Sequence, residues 1–247
     1  MAGYGALIQV YCDFSGYTDI VIGIAFLLGF RIMPNFNKPF LAQNITEFWR
    51  RWHITLSNWM SDYLFYPLSY SFRKIKMAGA ALAVLITFFI SGLWHGANWT
   101  FILWGCSHGL AMVYDLMTKN IRMKIAKKVN PGIYRFISIF ITVNFLALTI
   151  ILFRSANLDK AFEMYKTIFT RFNTAIIYKW ILIYRYPLMV MIFAYLLHYL
   201  PQKWNDAVTT QYIRLHWSLK AVVASVAIIF IYQTLTYDSL PFIYLEF

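Results

Sequence analysis

Met77-Ala-Gly-Ala-Ala-Leu-Ala-Val-Leu-Ile-Thr-Phe-Phe-Ile-Ser-Gly-Leu-Trp94 is a run of 18 residues without one charge, and Ala97 to Met117 is a second apolar run. The tight sequence Trp94-His95-Gly96 joins them. A hydrocarbon core about 30 Å thick is crossed by roughly 20 helical residues, so the two runs predict a hairpin of membrane helices. Its outer ends are basic: Arg73, Lys74 and Lys76 before it, Lys119, Arg122, Lys124, Lys127 and Lys128 after it. Membrane-flanking segments rich in Lys and Arg stay on the cytoplasmic side. That places both outer ends there and puts His95 at the tip, deep in the membrane or toward its far side.

The rest of the chain suits the same solvent. Hydrophobic residues make up 60% of the 247 positions and charged ones 13%, with a mean hydropathy of +0.56. Soluble domains run about 45–50% apolar and about 25% charged, and a soluble chain of this length still needs a polar skin. The net charge is +12. Because the basic residues sit mainly between apolar stretches, the partner they imply is anionic lipid headgroups and not nucleic acid. Cys12 and Cys106 both fall inside apolar stretches and suggest neither a disulfide framework nor a zinc site. The N-terminus lacks the basic start and small-residue cleavage pattern of a signal peptide, so Met1 is expected to open directly onto a membrane helix.

Further spans are expected at Gly5–Phe30, Gly132–Phe153, Trp180–Leu200 and Ala221–Leu235, giving about six hydrophobic segments with the hairpin. In the first, Gly5, Cys12, Gly16, Gly23 and Asp19 share one helical stripe, which lets a second helix approach and turns Asp19 toward protein. Pro34 to Gln43 reads as a connector, after which Asn44 and Glu47 have the spacing of a capping box. The helix expected over Glu47–Met60 carries Arg50, Arg51, His53, Ser57 and Asn58, too polar to span, so it lies at the interface or dips into a protein-lined cavity. Leu158, Ala161, Phe162, Tyr165, Ile168 and Phe169 recur at helical spacing and predict an amphipathic helix on the far surface. Pro201–Ser218 reads as a polar connector. The expected fold is all-α and polytopic, one transmembrane domain over residues 1–247 with re-entrant or interfacial helices.

Ionisable groups within a membrane are costly and tend to mark functional pathways, which singles out Asp13, Asp19, His53, His95 and His108. Each has a plainer reading. The two aspartates can serve as buried acceptors, His108 as a hydrogen-bonded packing residue, and His53 as a headgroup contact; His198 and His216, near span ends, read as interface residues. His95 is the hardest to explain as packing. It lies between Gly92 and Gly96 with Ser91 and Asn98 nearby, small neighbours leave room beside its ring, and an ordinary imidazole pKa of roughly 6.5 suits a general base near neutral pH. No spacing suggests a closed metal site, a nucleophile elbow or a phosphate loop.

Three motifs carry a resemblance. Asp13-Phe-Ser-Gly-Tyr-Thr-Asp19, Phe48-Trp-Arg-Arg-Trp-His-Ile-Thr-Leu56 and Gly92-Leu-Trp-His-Gly-Ala-Asn-Trp-Thr100, with the ending Pro241-Phe-Ile-Tyr-Leu-Glu-Phe247, resemble the membrane-bound O-acyltransferases, in particular the alginate O-acetyltransferase branch. The chain looks like the C-terminal half of that fold. It departs from the branch at Ser61-Asp62-Tyr63, where an arginine is usual in place of the serine, and at Ser69–Arg73, where a Gly-Gly-Asn-Arg loop is usual. The resemblance implies that His95 is the catalytic residue and His53 its companion. It makes Arg50, Arg51, Trp94, Asn98, Asp13 and Asp19 the candidate donor and substrate contacts. The donor implied is acetyl-CoA or an acyl-carrier or relay thioester, with Arg50 and Arg51 near its phosphates, no bound cofactor and no metal. The implied acceptor is an exported polysaccharide, the implied location the bacterial inner membrane, and the implied partners include periplasmic acetyltransferases. D-alanyl transfer to teichoic acid, an inactive scaffold in an export complex, and a transporter whose ion path is lined by Asp13 and Asp19 are the alternatives.

Overall fold

The computed structural model describes residues 2–170 and 177–235. The first helix, α1 (Ala2–Leu27), is followed by an irregular stretch with a short 3₁₀ turn at Pro39–Leu41. Asn44 then caps α2 (Ile45–Trp49): its side chain accepts the Glu47 N–H at 2.8 Å, while the Glu47 carboxylate accepts the Gln43 N–H at 2.8 Å. This is the reciprocal arrangement expected from the sequence, with the return bond one residue earlier than usual.

The single polar helix expected over Glu47–Met60 does not form. α2 stops at Trp49, and α3 (Ile54–Met60) starts afresh after His53, which adopts left-handed backbone angles (φ 43°, ψ 55°). The loop before α2 pays out the bonds that stabilise this break. The Ile54 N–H donates to the Asn35 carbonyl at 3.0 Å, the Thr55 hydroxyl donates to the Asn35 side chain at 2.6 Å, and the Asn37 N–H donates to the Arg51 carbonyl at 2.9 Å. α3 widens into a π turn at Ser61–Phe65, where the Tyr66 N–H reaches the Ser61 carbonyl, and continues as α4 (Tyr66–Ser71). Pro67, with no N–H to donate, sits at the end of that widening.

The hairpin forms as expected, from α5 (Lys76–Trp94) and α6 (Trp99–Ala126). Gly96 makes its turn possible with φ 142°, a conformation L side chains rarely adopt. α7 (Pro131–Arg154) follows, with Pro131 in its first turn and Asn130 as its cap. α8 (Leu158–Thr170) is amphipathic and returns against α7, where Tyr165 donates its hydroxyl proton to the Leu148 carbonyl at 2.8 Å. Beyond it lie α9 (Ile177–Ile183), α10 (Arg185–Tyr199), α11 (Gln202–Arg214) and α12 (Trp217–Leu235).

Among the described residues three helices are long and apolar enough to cross a membrane, at Gly3–Leu27, Arg73–Trp94 and Pro131–Arg154, or five if each bent pair is one span. The expectation of about six hydrophobic segments is corrected in three places. α6 is a 28-residue helix, but its second half carries Asp115, Lys119, Arg122 and Lys124. The Trp180–Leu200 span is broken into α9 and α10, bent by 83°, with Pro187 in the first turn of α10, where a missing N–H costs nothing. The Pro201–Ser218 connector is largely helical, as α11, which meets α12 at 118°. The chain divides into two compact units, residues 1–194 and 195–247. The ending Pro241–Phe247 lies outside the described residues.

In the first unit, α5 and α6 come to backbone contact. A Cβ on Gly92 would meet the Phe101 carbonyl oxygen at 2.6 Å, and one on Gly105 would collide with the Phe88 carbonyl oxygen and lie 3.1 Å from Gly92. Gly3 lets α1 meet α7 in the same way, at Ala147. Gly16 and Gly23, by contrast, have nothing against them among the described residues, and Asp19 on the same stripe is exposed and does not turn into protein there. The glycines therefore separate by effect. Gly105→Ala is expected to overpack the hairpin and cost about 1–3 kcal/mol, seen as a lower thermal midpoint in detergent, while Gly16→Ala leaves that midpoint unchanged.

Candidate active site

α5 ends at Trp94, and His95 turns the chain with its N–H bonded to the Gly92 carbonyl at 3.2 Å. Its imidazole is 7% exposed and set among rings: Trp94 at 4.9 Å, Phe153 at 5.0 Å, Trp104 at 5.2 Å and Phe101 at 6.2 Å between centroids. Among the described residues it makes no hydrogen bond, yet its nitrogens are not among the sealed, unpartnered atoms. Both therefore keep a little open surface. Burial pushes this imidazole down to about 4, and the proximity of His53 acts in the same direction. At neutral pH it is uncharged, with a lone pair free to accept a proton.

His53 reaches the same region from the break between α2 and α3. Its ring meets Phe14 of α1 edge-on at 4.7 Å. Its Nδ1 is buried without a partner, and burial pushes its pKa down to about 4 as well. A non-glycine residue in left-handed backbone costs on the order of 1–2 kcal/mol, and such strain gathers at functional sites. Two of the three motifs thus deliver a neutral imidazole each to one neighbourhood, and the third delivers the aromatic ring beside it.

Below the histidines, toward the basic ends of α5 and α6, lies a cavity of about 690 Å³. Its wall includes Ser57, two residues after Thr55 at the start of α3, and Ser91, four residues before His95, so its inner end lies about one helical turn from that imidazole. Arg50, Lys119 and Arg122 contribute cations and Asp115 the one acid of the lining. Asp115 is already committed: it accepts the Thr46 N–H at 2.9 Å and hydroxyl at 3.2 Å and pairs with Arg122 at 3.4 Å. Arg50 and Lys119 make no hydrogen bond or ion pair with any described residue. The cavity therefore carries two uncompensated positive charges, a setting for an anion.

The sequence candidates separate in this frame. Arg50 lines the cavity, whereas Arg51 is spent on the Glu47 carboxylate at 2.8 and 3.0 Å and the Asn37 carbonyl at 3.2 Å. Trp94 packs its ring against His95 but is 56% exposed. Asn98 uses both ends of its amide within the protein, accepting the Thr100 N–H at 3.1 Å and donating to the Ala156 carbonyl at 3.0 Å. Asp13 is half-buried and Asp19 exposed, and neither makes a hydrogen bond or ion pair among the described residues. No group of His, Cys, Asp or Glu among those residues is placed to hold a metal ion.

Sequence reasoning missed Phe153, Trp104, Lys119 and Arg122. The lysine and arginine were legible only as orientation charges, since nothing local tells a headgroup contact from a cavity wall. Phe153 closes the apolar run Leu146–Phe153 near the end of α7, where nothing marks it off from its neighbours.

The sequence profile of the membrane-bound O-acyltransferase family matches residues 1–156, more than half of the chain. The chain is 41% identical over 163 residues to a probable alginate O-acetylase of Azotobacter vinelandii, 66% of this chain and 31% of that one. It is 39% identical over 162 residues to a peptidoglycan O-acetyltransferase of Helicobacter pylori, 64% and 29% of the two chains. With a teichoic acid D-alanyltransferase of Bacillus subtilis it shares 35% over 122 residues, 47% and 31%. The alignments span less than a third of the length of these curated relatives. With three family motifs folded into one neighbourhood of an all-helical, multi-pass membrane protein, the chain belongs to the membrane-bound O-acyltransferase family.

Proposed function

We propose that this protein takes part in moving an acyl group, acetyl in the first instance, from a thioester donor to a hydroxyl of an exported polysaccharide, with His95 as general base, in the bacterial inner membrane. The observation that carries the reading is the uncharged imidazole of His95, free of hydrogen bonds among the described residues, about one helical turn beyond Ser91 in the wall of a cavity that Arg50 and Lys119 also line. In the reaction His95 takes the proton of the acceptor hydroxyl as its oxygen bonds to the acyl carbon. The C–S bond breaks, and the proton passes from His95 to the departing thiolate, leaving a free thiol. His53, close enough to shift the titration of His95, is suited to orient the donor carbonyl or the acceptor. Holding both reactants in a dry site contributes through proximity.

Arg50 and Lys119 suit the phosphates of a coenzyme A or phosphopantetheine donor, since guanidinium and ammonium groups bind phosphate through charge-assisted hydrogen bonds. The positive-inside pattern puts that end of the cavity on the cytoplasmic side, where such donors occur. Polysaccharide is favoured as acceptor by the alginate O-acetylase relatives, and the peptidoglycan relative extends the class to cell-wall sugars. D-alanyl transfer is less favoured because that likeness covers less of the chain. A periplasmic acetyltransferase partner fits an acceptor that lies beyond the membrane.

Three outcomes test this reading in membranes carrying the full-length protein. His95→Ala is expected to lower acyl transfer by at least about 100-fold with the protein still inserted, and transfer at the wild-type rate removes His95 from the mechanism. Arg50→Gln is expected to raise the donor KM by roughly tenfold, the loss of one charge-assisted contact, whereas Arg51→Gln, which breaks the Glu47 pair, lowers thermal stability and leaves KM in place. Since the folded histidines titrate near 4 and not near 6.5, kcat/KM should hold from pH 7 to below 6 and fall only toward 4. Stability follows the same sign: it is intact above the unfolded value of about 6.5 and declines as pH drops toward 4, because only the unfolded imidazoles take up protons there. An acid limb centred at pH 6.5 would show that the rings are open to water.

A further inference from the structure

His108, in the middle of α6, is 1% exposed and has no part in the reaction just described. Its surroundings fix its protonation. The Trp49 indole N–H, which can only donate, points at Nδ1 at 3.2 Å. Nδ1 must therefore be the unprotonated nitrogen. The proton sits on Nε2, which faces the Thr149 hydroxyl oxygen at 3.2 Å, and that hydroxyl spends its own hydrogen on the Leu146 carbonyl at 3.2 Å. The chain Trp49 to His108 to Thr149 to Leu146 runs in one direction and leaves His108 no unpaired nitrogen. One ring is thus held by hydrogen bonds at both ends, across three helices.

His95 is held by none. Its orientation comes from ring packing alone, and Trp104 is the ring that joins it to this chain. The Trp104 centroid lies 4.9 Å from His108 and 5.2 Å from His95, and it also touches Trp49 at 5.9 Å and Phe153 at 5.0 Å. We infer that His108 is a positioning residue: through Trp104 it fixes the plane in which the His95 imidazole meets the acceptor hydroxyl. The inference rests on the reading of His95 as the base. It gives a function to a buried histidine that would otherwise be only a packing residue.

The test is transfer of labelled acetyl from acetyl-CoA to the polysaccharide acceptor in membranes carrying the full-length chain, with kcat expressed per inserted molecule. His108→Leu removes both hydrogen bonds and is expected to lower kcat by roughly tenfold, because misorientation of a reacting group acts on the chemical step, with donor KM little changed. His108→Gln is expected to recover most of that loss, since its amide oxygen can accept from Trp49 and its N–H can donate to Thr149. Thr149→Val, which removes only the acceptor of the Nε2 proton, is expected to lower kcat less than His108→Leu but measurably, and it decides the matter if His108→Leu does not insert. Wild-type kcat in Thr149→Val and in any His108→Leu that inserts, or a loss expressed entirely in KM, overturns the positioning role. No transfer by the wild type, or full transfer by His95→Ala, overturns the acyl-transfer reading itself and this role with it.

Discussion

The close approach of α5 and α6 at Gly92 and Gly105 is the constraint on which the site depends. Helices usually pack 8–10 Å apart with side chains between them. In lipid no hydrophobic drive pushes them together, so association rests on contact between surfaces that fit. Here the Phe88 carbonyl sits where a Cβ of Gly105 would be, and Gly92 lies against the Phe101 backbone. That closeness lets the short turn through Gly96 close, buries the His95 ring and brings Trp104 of α6 into contact with it. A wider hairpin would leave the imidazole among lipid chains or water, with its ordinary titration and no fixed orientation.

Polar groups in this frame fall into two kinds, and the distinction is informative because an unpaired polar atom away from water costs on the order of 1–3 kcal/mol. One kind is fully paired and structural. The Glu47–Arg51 pair holds the turn after α2, Asp115 ties Thr46 to α6, Asn98 ties the hairpin tip to the turn after α7, and His108 joins Trp49 to Thr149. The other kind is left open: Nδ1 of His53, both nitrogens of His95, the Thr100 hydroxyl, Nε of Arg122, and the cations of Arg50 and Lys119. Arg50, Lys119 and Arg122 line one cavity together with the paired Asp115, and the histidines lie beyond its inner wall.

Much of this was legible in the sequence, and the reasons differ from residue to residue. The hairpin was legible because a long uncharged run admits no other fold in lipid. The cap at Asn44 was legible because it is a local contact three residues long. The break at His53 was not, because its left-handed backbone is stabilised by Asn35 and Asn37, which lie in a connector with no helical signal of its own. The division between Arg50 and Arg51 was equally hidden. Adjacent arginines read alike, and only the fold shows that Glu47, four residues before Arg51, takes one of them away from the cavity. His95 and His53 stood out as titratable residues at odds with their apolar setting, whereas Phe153 and Trp104, which shape their surroundings, are unremarkable in an apolar helix.

The first motif shows how a sequence signature can point at the right place through the wrong atoms. In Asp13-Phe-Ser-Gly-Tyr-Thr-Asp19 the carboxylates attract notice, since charge in a membrane is costly. Among the described residues neither touches the site. The residue between them that does is Phe14, whose ring meets His53 at 4.7 Å and Phe36 at 5.1 Å, while Phe36 in turn meets Trp52 at 5.0 Å. α1 therefore contributes an aromatic wall that desolvates His53, and desolvation is the leading cause of the low titration of that ring. The chemistry of the site is set less by charges brought to the histidines than by the aromatic rings that keep water from them: Phe14 and Trp94 from two of the motifs, and Phe101, Trp104 and Phe153 from outside all three.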